Sequence, residues 1–203
     1  MNWNEIVSVA VTLFFIMDPL GNVPVFNAIL SDFESKRRSK IVARELFLAL
    51  VILFLFLFSG NAMLGFLGLS QSSLSIAGGI LLFIISLRMI FPKTTSRDEI
   101  EGSDDPFLVP LAVPMIAGPS TIAILLLLSS SQPGRIAEWS ISLFMAWLAT
   151  TVLLVASPQL MRVLGKRGAR ALERLMGMIL VILATQMLLN GIRDFIVSLE
   201  PVA

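Results

Sequence analysis

Met17-Asp18-Pro19-Leu20-Gly21-Asn22-Val23-Pro24 interrupts a mostly apolar segment that runs from about Ile6 to Leu30. An aspartate followed at once by proline predicts a helix that stops and starts again. Proline lacks an amide donor and collides with the carbonyl four residues back. Aspartate is a strong N-cap, proline is favoured at the first helical position, and glycine permits backbone conformations closed to other residues. A second stretch, Pro114-Met115-Ile116-Ala117-Gly118-Pro119-Ser120-Thr121, interrupts another apolar segment in the same manner, with Gly118-Pro119 repeating the arrangement of Asp18-Pro19. The helix breaks are therefore expected at Pro19 and Pro24 in one segment and at Pro114 and Pro119 in the other.

Both stretches sit in a chain written for lipid. Of its 203 residues, 56% are hydrophobic and 14% charged, and the mean hydropathy is +0.89. An ordinary soluble domain carries about 25% charged residues. Apolar segments at about 6–30, 41–58, 74–91, 107–128, 139–156 and 172–197 predict six membrane-spanning helices. At ~20 residues a span these fill one membrane domain over 1–203, with no room for another. The start, Met1-Asn2-Trp3-Asn4-Glu5, has no basic stretch ahead of the apolar run, so the first segment reads as a retained span rather than a cleaved signal.

Lys and Arg set the orientation. Five (Lys36, Arg37, Arg38, Lys40, Arg44) fall at the first connection, three (Arg88, Lys93, Arg97) near the third and five (Arg162, Lys166, Arg167, Arg170, Arg174) near the fifth, against Arg135 and Arg193 on the opposite side. By the positive-inside rule both termini face the outer, periplasmic side. Trp3 and Trp139 then fall at the outer interface, where indole rings favour the headgroup layer.

The two halves resemble each other. Gly21 and Gly118 are 97 residues apart, Ser59 and Ser157 are 98 apart, and Gly79 and Gly177 are 98 apart, with 79–89 aligning on 177–187 without a gap. A three-helix unit crosses the membrane an odd number of times, so its second copy is inverted, and equivalent connections should carry opposite basic loads. The first and fourth do, with five basic residues against one, and so do the second and fifth, with none against five. The expected fold is all-α and polytopic: six transmembrane helices as a 3+3 inverted-topology repeat, 1–98 and 99–203, with helices one and four broken at mid-membrane. Secondary transporters commonly have this plan, and their sites lie where the helices break.

The missing residue types exclude several chemistries. Without Cys there is no disulfide or thiolate metal site, and without His there is no imidazole ligand or serine–histidine catalysis. An aspartyl dyad needs two acids at mid-membrane, whereas only Asp18 is read at that depth, so the chain is not expected to be an enzyme. No phosphate-binding loop is present, and a net charge of +1 points to no nucleic-acid partner. No cofactor is expected, although a proton or sodium ion could be coupled.

The candidate substrate-binding residues are those at the breaks: Asp18, Gly21 and Asn22 in the first, Gly118, Ser120 and Thr121 in the second. Half-helix starts present bare amides and the positive dipole end, which suits a carboxylate. Proline and glycine can also merely bend a membrane helix, and Asp18 can be no more than a satisfied cap. Arg88 either snorkels to headgroups or pairs with Asp18. Gln186, its counterpart in helix six, either joins helices with Thr185 and Asn190 or touches substrate. Glu45 serves nearby basic side chains or the site. The stripe Lys36, Lys40 and Arg44 meets membrane lipid.

Met17 to Pro24, Pro110-Leu111-Ala112-Val113-Pro114 running into Ala117-Gly118-Pro119, and Ala171-Leu172-Glu173-Arg174-Leu175-Met176-Gly177 followed by Ala184-Thr185-Gln186-Met187 resemble the MarC family of bacterial inner-membrane proteins, most closely its YhgN-like branch. The resemblance covers nearly the whole chain. It implies a six-helix protein of the bacterial inner membrane and, from archaeal members that look like carriers, transport of small neutral amino acids such as glycine and alanine. Here Ser120 follows Gly118-Pro119 where many members carry a second glycine. The expected function is thus ion-coupled alternating-access transport of a small zwitterionic solute; the alternatives are efflux of a hydrophobic drug or metabolite and a non-transporting membrane scaffold. Self-association into a homo-oligomer is left open.

Overall fold

The computed structural model describes residues 2–23, 35–91 and 116–199, and no strand occurs among them. The helices are α1 (Trp3–Met17), α2 (19–23), α3 (Ser35–Leu67), α4 (Gln71–Ile90), α5 (Pro119–Ser131), α6 (Ile136–Val155) and α7 (Ser157–Leu199), with a 3-10 turn at Pro133–Arg135. Among the described residues, five stretches are long and apolar enough to cross a bilayer: Trp3–Val23, Val42–Gly60, Gln71–Ile90, Pro133–Val155 and Arg167–Leu199. A chain whose backbone is satisfied within successive apolar helices is a multi-pass membrane protein.

The span expected over 107–128 departs from this pattern. Its described helix, α5, begins at Pro119 and has 13 residues, about 20 Å at 1.5 Å per residue. That is half of the ~40–45 Å a bilayer occupies with its headgroups. Pro24 and Pro114 lie outside the described residues. The last span also differs, because α7 begins at Ser157 and is interrupted at Gly165, whose φ of 63° and ψ of 176° are not helical. Glycine tolerates that left-handed φ because it has no Cβ.

Glycines bring α4 and α7 together. A Cβ on Gly79 would meet Leu188 Cγ at 2.9 Å and the Ala184 carbonyl at 3.1 Å. One on Gly177 would meet Ile90 Cγ1 at 2.9 Å and the Ser86 carbonyl at 3.0 Å, and one on Gly191 would meet Ile76 and the Ser72 carbonyl. The partner numbers fall on α7 as they rise on α4, so the two helices are antiparallel and in near-backbone contact along their length. Lipid tails are as apolar as Leu, so close packing rather than the hydrophobic effect holds such a pair. Ser75 adds a hydrogen bond, donating to the Met187 carbonyl at 2.9 Å.

α1 runs parallel to α6. Ser142 Oγ donates to the Ile6 carbonyl at 2.9 Å near one end, and Thr150 Oγ1 donates to Met17 Sδ at 3.6 Å near the other. Arg135 closes the first end: it pairs with Glu5 and with Glu138 and lies 4.6 Å over the Trp139 ring. Ser131 reaches Gln71 at 3.4 Å, so the start of α1, the start of α4, the end of α5 and the start of α6 share one face of the bundle. Arg44, Arg88, Arg162, Arg167, Arg170 and Arg174 lie on helix stretches toward the opposite face.

Candidate functional site

Each atom at the first break follows from the local sequence. Pro19 has no N–H for the Phe15 carbonyl, and Asp18 N–H donates to that carbonyl instead at 3.1 Å, in the tighter i to i−3 pattern. The backbone of Asp18 is thereby turned into the left-handed region, at φ 45° and ψ 58°. Among residues with a side chain, Asp and Asn visit that region most readily, since their short polar groups bond locally. Here Asp18 Oδ1 accepts the Gly21 N–H at 3.1 Å, the N-cap bond to the third residue of the new helix. In an unbroken helix Gly21 N–H would have served the Met17 carbonyl; Asn22 Nδ2 takes its place at 3.1 Å. Asp18 therefore ends α1 and starts α2, and Asn22 closes the gap between them.

Gly21 is required by crowding. A Cβ there would overlap the Asp18 carboxylate and approach Met89 Cε of α4 to 2.8 Å. α1 has 15 residues, about 22 Å, so Asp18 lies at half the full bilayer depth counted from Trp3. Replacing Asn22 by leucine would strand the Met17 carbonyl in a half-buried, apolar setting. Leaving such a group unmet costs about 1–3 kcal/mol. Asn22→Leu is accordingly expected to lower the thermal midpoint of the detergent-solubilised protein, while Asn22→Ser, which retains a donor, should restore part of the loss.

The second break is built on the same plan with one change. Gly118 is the N-cap of α5, at φ −65° and ψ 162°, with no side-chain cap bond, and Pro119 is the first helical residue. Ser120 and Thr121 are buried in the first turn at 3% and 1% exposure. The two helix starts, Pro19 and Pro119, are 100 residues apart, so Gly118 holds the same local place as Asp18, the residue before a helix-starting proline, whereas Gly21 lies inside its helix. α4 touches both half-helices: Met89 lies against Gly21, and Gly78 lies against Ala123, one turn into α5.

Met89 of α4, which meets Gly21, also packs against Gly177 of α7, so one side chain joins the first break to the last span. Met89 is not among the residues expected at the site, and its signal in the sequence was its alignment with Met187. Glu173, one turn before Gly177 and next to Arg174, lies nearer the basic end of α7.

The remaining candidates are elsewhere. Arg88 is exposed, and no ion pair joins it to Asp18 among the described residues. Gln186 is exposed too and donates to Asn190 within its own helix at 3.0 Å, while Thr185 bonds the Val181 carbonyl. Glu45 is buried at 3% exposure and pairs with the exposed Arg44 at 2.9 Å, and its Oε2 has no hydrogen-bond partner among the described residues. Next to it, Trp147 Nε1 donates to the Leu46 carbonyl at 2.9 Å, tying α6 to α3.

Comparison with known proteins gives a consistent family. The model of the MarC family integral membrane protein matches residues 3–196. The UPF0056 inner membrane protein YhgN of Escherichia coli (strain K12) is 49% identical over 191 residues, covering 94% of this chain and 97% of that protein. A UPF0056 membrane protein of Buchnera aphidicola subsp. Baizongia pistaciae (strain Bp) is 48% identical, covering 94% and 98%. The UPF0056 membrane protein MJ1677 of Methanocaldococcus jannaschii is 34% identical, covering 90% and 93%. No solved structure matches. With a family match from near one terminus to near the other and relatives aligned over almost their full length, the chain belongs to the MarC family of integral membrane proteins.

Proposed function

We propose that this protein is a secondary transporter of a small zwitterionic solute, a neutral amino acid of the size of glycine or alanine, working by ion-coupled alternating access. The observation that carries the reading is the carboxylate of Asp18, held in the membrane at the junction of two half-helices. A carboxylate at that depth is costly and usually functional. The α5 start, with the buried hydroxyls of Ser120 and Thr121, offers amides and donors to a substrate carboxylate. Asp18 suits an ammonium group, a proton or a sodium ion.

The glycine contacts support an inverted repeat of 1–98 and 99–203. Gly79 faces Ala184 and Leu188; Gly177, 98 residues on, faces Ser86 and Ile90, which are each 98 residues before those partners. A twofold axis in the membrane plane would exchange the two contacts, and alternating access moves halves related in that way. The gathering of arginines toward one face supports a cytoplasmic assignment for that face, with both termini periplasmic.

Reconstituted in liposomes, the protein is expected to move labelled alanine or glycine faster than protein-free vesicles, and faster with a proton or sodium gradient than without one. Rates equal to those of empty vesicles across a broad solute panel would remove the reading. One observation bears on a second reading, efflux of a hydrophobic solute: an open apolar groove on the outer surface between α1 and α6, bounded by Phe14, Leu148, Val152 and Leu153, among others. The panel therefore includes a lipophilic dye, and dye flux without amino-acid flux would select efflux.

A further inference from the structure

Three arginines of α7 line one cleft. Arg167, Arg170 and Arg174, with Ala171, bound a space of about 240 Å³. Their spacing of three and four residues puts them on one side of the helix, where like charges repel. All three are exposed, and they occupy the end of the span Arg167–Leu199 that lies toward the basic face, the height at which a helix passes through headgroups. Just before them Gly165 breaks α7, so this basic turn opens the spanning stretch of the helix. Glu173 follows in the same turn, next to Arg174.

A guanidinium presents paired N–H donors in a planar fork that matches two oxygens of a phosphate, and it stays charged at any physiological pH. Several of them around one small hollow at headgroup height make a site for a phosphate group rather than a diffuse attraction. We propose that the Arg167–Arg170–Arg174 cleft binds the phosphate of an anionic ligand, supplied in the membrane by an anionic phospholipid headgroup of that leaflet. This site is separate from the helix breaks and does not depend on the transport reading.

The test uses the full-length protein in a neutral detergent, with the thermal midpoint and retained lipid by native mass spectrometry as readouts. Phosphatidylglycerol or cardiolipin is expected to raise the midpoint where phosphatidylcholine does not. Arg167→Gln/Arg170→Gln/Arg174→Gln should weaken anionic-lipid binding at least tenfold, and Arg88→Gln, an exposed arginine outside the cleft, should leave it unchanged. Arg167→Lys, which keeps the charge and loses the fork, is expected to fall between and serves if the triple variant does not fold. Inorganic phosphate protecting equally and displacing the lipid would support the site and assign it to free phosphate. Anionic-lipid binding that survives both Arg167→Lys and the triple substitution, or that falls as much in Arg88→Gln, would overturn the proposal.

Discussion

Asp18→Asn is expected to abolish transport in proteoliposomes, by at least a hundredfold in initial rate, while leaving the thermal midpoint unchanged or raised. The separation of the two effects follows from what Asp18 does locally. Its Oδ1 caps α2 by accepting the Gly21 N–H, and its backbone is left-handed at φ 45°. Asparagine caps a helix about as well as aspartate and tolerates the left-handed region equally. The substitution therefore keeps both structural duties and removes only the charge, whose burial in a membrane is unfavourable. Asp18→Ala differs on both counts: it loses a cap worth about 1 kcal/mol and leaves a residue poorly suited to positive φ. Alanine alone would confound stability with function, and comparison of the two substitutions separates them. If Asp18→Asn transports at the wild-type rate, the acid at the break is a cap and nothing more.

The largest loss of stability is expected at the α4–α7 contact. An added Cβ at Gly79 or Gly177 would press on backbone atoms, the Ala184 carbonyl and Leu188 amide in one case and the Ser86 carbonyl in the other. Backbone cannot rotate away as a side-chain tip can. Overpacking of this kind costs about 1–3 kcal/mol, so Gly79→Ala and Gly177→Ala should each lower the midpoint by several degrees. Gly79→Leu or Gly177→Leu should leave little folded protein in detergent. Gly65 in α3 is the control, because a Cβ there meets nothing within 4 Å. Gly65→Ala removes a helix-weakening glycine and should be neutral or stabilising by up to ~1 kcal/mol. The two alanine losses should match closely if Gly79 and Gly177 occupy equivalent positions of a repeat. Their sum should hold in the double variant, because the contacts lie some distance apart along the helix pair. Unequal losses would count against the equivalence, and a tolerant Gly177→Leu against the close contact itself.

The chemistry of the first break was legible residue by residue. Proline's missing donor and aspartate's capping oxygen are local properties, and the hydrogen bonds around Asp18 realise both; the backbone freedom expected of glycine is not used at either break, where the positive φ falls on Asp18 and Gly118 has a φ of −65°. The start of α5 at Pro119 was legible on the same grounds. The span boundaries were close for 41–58, 74–91 and 139–156, because hydropathy over some twenty residues reports membrane crossing directly.

What the sequence determined by itself, then, is the membrane class, most of the spans and the conformation of the chain at Asp18-Pro19 and Gly118-Pro119, all of which depend on neighbours within one or two helical turns. Only the tertiary structure decided which side chains share the space around the break: Met89 stands against Gly21, while Arg88 and Gln186 are turned outward. The reason is the solvent. In water a helix declares its buried face by an apolar stripe, but lipid and protein interior are both apolar, so buried Leu53 and exposed Leu55 read alike in the sequence. Helix rotation is then set by the close fit of glycines such as Gly79 and Gly177 against a partner helix, and that fit exists only once both helices are in place.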